Sequence, residues 1–253
     1  MTGKKIDKHT LQVIIPIVTT QVLPDVKREV SHVLAPDFEA RYHNVDSGTC
    51  FIESRYAEFL NTQAIIELAK QAEKDGCAGI FVDCFGSPGV SVVRELVNIP
   101  VVGGFDGAVL MASAIAQRFS IVTVLPAVCP MLEEQARALG ITQNLASIRN
   151  VEMPVKDLKD KNKLIAHLLK ESEIAIRQEG AQAIVLGCTG MVDVVDAVKA
   201  QLQEKGLPAP VIDPSYAAIS LLQSLVRCGL SQSPLCYFPS HAKLVTDPSA
   251  CSL

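Results

Sequence analysis

Apolar and polar positions along the chain fall into two kinds of segment. Short, nearly unbroken apolar runs rich in β-branched residues occupy 12–18, 79–83, 100–103, 120–125, 183–187 and 210–213. Runs of that length and composition predict strands covered on both faces. Between them apolar positions recur with helical spacing. Over 62–73, Ile65, Leu68, Ala69 and Ala72 share one face, with Glu67, Lys70 and Glu73 opposite. Over 160–178, Leu164, Leu168, Ile174 and Ala175 form a similar stripe. Gly76 and Gly180 stand where a left-handed residue closes a helix. Segments 106–118 and 215–227 open on capping residues, Asp106 and Ser215, and run apolar. Two further helices are predicted at 90–97 and 193–203. Strands alternating with helices imply parallel sheets joined by right-handed crossovers.

The pattern occurs twice. Residues 76–86 read Gly-x-x-x-Ile-x-apolar-x-Cys-x-Gly, and residues 180–190 read the same, 104 positions later. The flanks also repeat, at an offset of 110: Val13-Ile14-Ile15-Pro16 is echoed by Thr123-Val124-Leu125-Pro126, and Pro100-Val101-Val102-Gly103 by Pro210-Val211-Ile212-Asp213. Three matches in one order imply two similar halves. The fold expected is α/β: two Rossmann-like domains with parallel sheets related by a pseudo-twofold, and an active site in the cleft between them. The boundaries expected are 1–103 plus 214–253 for one domain and 104–213 for the other.

Composition narrows the function. With 49% apolar and 20% charged residues the 253-residue chain can bury a real core. Twenty-three Lys and Arg against 27 Asp and Glu give a net charge of −4, without the basic excess of a nucleic-acid binder. Trp is absent and aromatics are 5%, which disfavours stacking platforms. No apolar run approaches the ~20 residues that span a bilayer, and the early run 13–18 is too short for a secretory signal. Eight cysteines are too dilute for a disulfide scaffold, no Cys-x-x-Cys pair is present, and no cluster has metal-ligand spacing. The expectation is a reduced, cytoplasmic protein acting on a small molecule, with no metal, organic cofactor, nucleic acid or membrane as partner. The Gly103-Gly104 pair lacks the rest of a nucleotide-loop motif and reads as a tight strand-to-helix turn. The charge run 156–163 reads as the solvated start of a helix, and the tail from Ser231 onward as loop.

Chemistry concentrates on the repeated cysteines. Free Cys is most often a small core hydrophobe, and Cys50, Cys77, Cys129, Cys228, Cys236 and Cys251 are read as core or surface residues. Cys84 and Cys188 differ, because each ends an apolar strand in its own half and is followed by turn-forming residues. Open α/β sheets bind ligands beyond the carboxyl ends of their strands. Pseudo-twofold symmetry then sets the two thiols on opposite faces of one ligand, and amides at the following helix starts are expected to lower their pKa. Two opposed acid–base groups suit 1,1-proton transfer next to a carbonyl: one thiolate removes the proton and the other thiol returns one. Amides of Gly86 and Gly190 are candidate donors to the enolate oxygen. None of His9, His32, His43, His167 or His241 is near either Cys in sequence, against a Cys-His hydrolase.

Several segments carry a family resemblance: 52–56 (Ile-Glu-Ser-Arg-Tyr), 83–89 (Asp-Cys-Phe-Gly-Ser-Pro-Gly), 94–97, 118–123, 184–191 (Ile-Val-Leu-Gly-Cys-Thr-Gly-Met) and 211–214. From about residue 11 to about 240 the chain resembles the Asp/Glu/hydantoin racemase superfamily, and within it the hydantoin and allantoin racemases. The resemblance implies a two-domain α/β fold, cofactor-independent two-base chemistry, a homo-oligomer, and Cys84 and Cys188 as the catalytic pair. It implies substrate contacts at Phe51, Ile52, Phe85, Gly86, Thr123, Val124, Thr189 and Gly190, with Thr19 from the loop after the first strand. That loop departs from the family's Asn-Pro-Asn-Thr-Ser-like pattern and reads Ile15-Pro16-Ile17-Val18-Thr19-Thr20, leaving only the threonines polar. Val124 stands where many relatives have Thr, and Asp83 where they often have Ala. An amino-acid racemase of the Asp or Glu type, and a non-catalytic ligand-binding protein on the same fold, are the alternatives.

Overall fold

A computed structural model describes residues 8–238; the tail beyond 238, with His241 and Cys251, lies outside the described residues. The first half runs β1 (His9–Ile15), α1 (Leu23–Val33), β2 (Phe38–Asn44), α2 (Arg55–Lys74), β3 (Gly79–Val82), α3 (Val90–Leu96) and β4 (Val101–Gly103), followed by α4 (Gly104–Ile115). The second half repeats the order: β5 (Phe119–Thr123), α5 (Cys129–Leu139), β6 (Leu145–Asn150), α6 (Lys161–Glu179), β7 (Ala183–Leu186), α7 (Val195–Glu204), β8 (Val211–Ile212) and α8 (Pro214–Arg227). Two four-stranded sheets result, ordered β2-β1-β3-β4 and β6-β5-β7-β8. Every strand pairing is parallel.

The central strands β1, β3, β5 and β7 are the apolar runs, and their residues are almost wholly buried. Of the four edge strands, β4 and β8 are the apolar runs at 100–103 and 210–213, whereas β2 and β6 give no such signal because neither is apolar. β2 alternates polar and apolar residues, and all of β6 is only half-buried. Both lie at a sheet edge with part of each strand open to solvent, whereas the edge strand β4 is buried throughout. Two helices, α1 and α5, were likewise not read; each carries a proline in its first turn, a position a helix tolerates.

Helix ends moved for local reasons. α2 starts at Arg55, not 62, because the Ser54 side chain accepts from the Ala57 N–H and caps it. The turn so added leaves Tyr56 and Phe59 exposed, which hid its helical stripe. α7 starts at Val195, not 193, because Asp193 takes a left-handed conformation (φ 58°). Gly180 closes α6 with φ 77°.

The final helices of the two halves cross over. α4 follows β4 but packs Phe105, Ala108, Val109 and Ala112 into the core of the second sheet. α8 follows β8 but packs Ala218, Ile219 and Leu222 onto Leu11, Val13, Phe81 and Val102 of the first. Gly107 lets them meet, since a Cβ there would lie 2.5 Å from the Ala218 Cα. No helix among the described residues is long and apolar enough to cross a membrane.

Candidate active site

Each thiol sits two residues beyond its strand, and the two loops are held alike. The Asp83 N–H donates to the Ile14 carbonyl at 2.9 Å, and the Gly187 N–H to the Val122 carbonyl at 2.8 Å. These bonds extend the ladders by one residue and fix where Cys84 and Cys188 emerge. Glycines shape the turns behind them. The Gly104 N–H donates to the Cys84 carbonyl at 3.1 Å, and a Cβ at Gly103 would stand 2.1 Å from the Ser87 Oγ. The Gly103-Gly104 pair therefore lets the β4–α4 turn press against the Cys84 loop.

Cys84 and Cys188 line one cleft of about 390 Å³ between the halves, a volume in the range of small-molecule sites. Its walls are mostly apolar, with Ile15, Pro16, Ile17, Val22, Phe51 and Ile52 from the first half and Val155, Leu158 and Val192 from the second. Thr19, Thr189 and Gly190 also line it. The loop carrying Thr19 is fastened by the Asn44 amide, which donates to the carbonyls of Ile17 and Thr19 at 2.9 and 2.8 Å. The Thr189 hydroxyl donates to the Asp83 carbonyl at 3.4 Å, tying one half to the other. Glu53 does the same from the first half, accepting from the Val155 N–H at 2.6 Å.

Four expected contact residues are not among those lining the cleft. Phe85 alternates away from Cys84 and packs edge-on against Phe105 in the core. Thr123 is fully buried and donates to the Gly187 carbonyl at 2.9 Å. Val124 is also core. Gly86 lies beside the Cys84 sulfur, and its N–H favours the thiolate there. These residues support the two loops from behind. The charge run at 156–163 also has a different place: α6 starts only at Lys161, and exposed Lys156, Lys159 and Lys161 stand at the mouth of the cleft. The sequence pattern gives no signal for α1, which brings Asp25 and Val26, with Val22 just before it, to the cleft.

The expected lowering of the thiol pKa is reversed. The helices α3 and α7 begin six and seven residues after their cysteines, too far for their first turns to reach the sulfurs. Loop amides reach them instead, and the Gly190 N–H donates to the Cys188 sulfur at 3.3 Å. Burial outweighs these donors. It pushes Cys84 far above the ordinary thiol value, with the Cys188 thiol adding to the rise and the Gly86 N–H opposing it. It pushes Cys188 up to about 12, opposed by the Gly190 N–H and reinforced by Asp83. Asp83 itself is raised to about 7, chiefly by burial and further by Asp213.

The sequence between residues 11 and 222 matches the model of a family described as Asp/Glu/hydantoin racemase. The chain belongs to that family. By that membership it is a racemase-class isomerase. A hydantoin racemase of Pseudomonas sp. (strain NS671) is 33% identical over 226 residues, covering 89% of each chain. A hydantoin racemase of Paenarthrobacter aurescens is 38% identical over 192 residues, covering 75% of this chain and 79% of its own. Among solved structures, an allantoin racemase from Klebsiella pneumoniae superposes with a TM-score of 0.84 at 30% identity, over 92% of this chain and 94% of that one. The pair of parallel sheets is thus a racemase-family fold. Among the described residues no group of three His, Cys, Asp or Glu side chains is arranged to hold a metal ion.

Proposed function

We propose that the protein racemises a cyclic ureide of the hydantoin type by two-base proton transfer, with Cys84 and Cys188 as the acid–base pair and no cofactor. The observation that supports this most is that two thiols in equivalent positions of the two halves line one cleft. In the forward step one sulfur, as thiolate, takes the proton from the ring carbon beside the carbonyl. The C–H electron pair moves into the enolate. The opposite thiol then gives its proton to the other face, and the pair ends with its protonation exchanged. Burial keeps the thiolate scarce, yet a thiolate of raised pKa is a stronger base toward a weakly acidic carbon. The hydantoin and allantoin racemases among the relatives support the substrate class.

The inner walls argue against a free amino acid as substrate. Its carboxylate would need a buried cation, and the cleft's lysines are exposed at the rim. The homo-oligomer implied by the resemblance, and the division into halves at 103/104 and 213/214, belong to the same proposal; light scattering tests the first. The function itself is tested by polarimetry of enantiopure 5-monosubstituted hydantoins, allantoin, glutamate and aspartate with the purified protein after dialysis against EDTA. The proposal expects rotation to decay for a ureide. Decay for an amino acid alone, or for none of them, contradicts it.

A further inference from the structure

The two halves match at their thiols and differ one residue earlier. Asp83 precedes Cys84, while Gly187 precedes Cys188. The second half has no room for a side chain there, since a Cβ on Gly187 would lie 2.7 Å from the Thr123 Cβ. The cleft therefore carries a carboxyl on one side only. Asp83 lines the cleft and is 9% exposed, and its Oδ1 is buried without a hydrogen-bond partner. A buried polar atom left unmatched costs free energy unless a ligand or water completes it. Of the other polar side chains lining the cleft, Gln21 and the three lysines are exposed, Thr19 and Asp25 are half-buried, and the Thr189 hydroxyl is already turned to the Asp83 carbonyl.

We propose that the Asp83 carboxyl is the residue that recognises the substrate's amide edge, an N–H beside a C=O, by accepting from one and donating to the other. This rests on the proposed function, which supplies a ring with such edges. A neutral carboxylic acid carries one donor and one acceptor side by side, complementary to that edge; a carboxylate carries only acceptors. The surroundings favour the neutral form. Burial raises Asp83, outweighing the Thr189 hydroxyl, which lowers it, and the repulsion of Asp213 adds to the rise; Glu29, itself buried, is near enough for their charges to interact. Cys84 and Cys188 on the cleft side would each add negative charge if ionised. The same neutral form spares the thiolate a like charge. Asp83 thus takes a recognition role that the first loop does not supply, since its one side-chain amide, Gln21, is exposed and accepts from Lys159.

The test uses ligands that cannot react. 5,5-Dimethylhydantoin has no hydrogen on the ring carbon and keeps both N–H groups; 1,3,5,5-tetramethylhydantoin has neither N–H. Calorimetric titration of the full chain is expected to favour the first by about 10- to 100-fold, the worth of two net hydrogen bonds, with the preference falling as pH rises through about 7. Asp83→Ala loses the preference. Asp83→Asn keeps a donor beside an acceptor, so it keeps the preference and loses the decline with pH. The inference is overturned if the parent binds both ligands alike, if Asp83→Ala, folded by its melting curve, discriminates as the parent does, or if Asp83→Asn keeps the pH decline. Polarimetry on a 5-monosubstituted hydantoin separates the two claims. Racemisation together with an indifferent Asp83→Ala sinks only this inference. Absence of racemisation sinks the proposed reaction and leaves the titrations to judge Asp83.

Discussion

Replacing Gly187 with Ala adds one methyl group at the tightest point behind the second thiol. The added carbon would lie 2.7 Å from the Thr123 Cβ, 2.8 Å from its Cα and 2.9 Å from the Ile121 Cγ2. All three belong to β5, the central strand paired with β7, so none is the free end of a flexible side chain. Relief requires β7 and β5 to separate, which strains the Thr123 bond to the Gly187 carbonyl. Overpacking of a tight core costs about 1–3 kcal/mol, and contacts to a central strand place this change near the upper end, about 3 kcal/mol. At ~2–4 °C per kcal/mol for a chain of this size, the melting temperature falls by about 6–12 °C. Cys188 follows directly, so racemisation should fall more steeply than stability. Gly86→Ala is the control, because its Cβ would meet nothing closer than the Cys84 sulfur at 3.8 Å. Thermal melts and polarimetry of both variants check the reasoning. A Gly187→Ala protein that melts with the parent and turns over as fast would refute the packing described behind Cys188.

Glu29 is buried beside Ser215, and its pKa is raised by burial and by Asp213 and Asp83. A group raised above its unfolded value stabilises most at low pH and loses that contribution as pH rises, so stability should decline from the ordinary carboxylate range upward. Glu29→Gln should flatten that decline and melt higher than the parent at pH 8, and equal slopes would count against it. Iodoacetamide at pH 8 should label exposed Cys50, Cys228 and Cys236 ahead of Cys84 and Cys188, because only thiolates react. Turnover should be lost in step with the cleft pair and be protected by 5,5-dimethylhydantoin; peptide mass spectrometry reads the order, and first labelling at Cys84 or Cys188 would contradict the effect of burial.

The strands that build the site were legible because they are buried on both faces and so read as unbroken apolar runs. The thiols were legible because a repeat set them apart from six other cysteines. What stayed hidden has physical causes. Strands β2 and β6 alternate or mix polar residues because they are only partly buried, unlike the edge strand β4. The first turn of α2 puts aromatic residues into solvent, which spoils its stripe. Phe85 follows Cys84 directly, yet it packs into the core against Phe105 while Cys84 lines the cleft, so contact cannot be read from adjacency there. Lys156, Lys159 and Lys161 read as a solvated helix start, and they are solvated; that they stand at the mouth of the cleft follows only from the packing of one half on the other. The direction of the thiol pKa was misjudged because burial, which no local motif reports, outweighs the loop amides.

In the proposed reaction Cys84 and Cys188 act from opposite faces of one ligand. Proton–deuterium exchange by single-thiol variants tests it most directly. Cys84→Ser and Cys188→Ser each leave one sulfur, and a serine hydroxyl is too weak an acid–base group near neutral pH to replace the other. Each variant is incubated in D2O with each enantiomer of a 5-monosubstituted hydantoin and followed by NMR and polarimetry against a protein-free control. Both variants should lose racemisation, each should still exchange the ring proton of one enantiomer with retention, and the two should favour opposite enantiomers. Racemisation at the parent rate by both variants, or exchange of the same enantiomer by both, would contradict it.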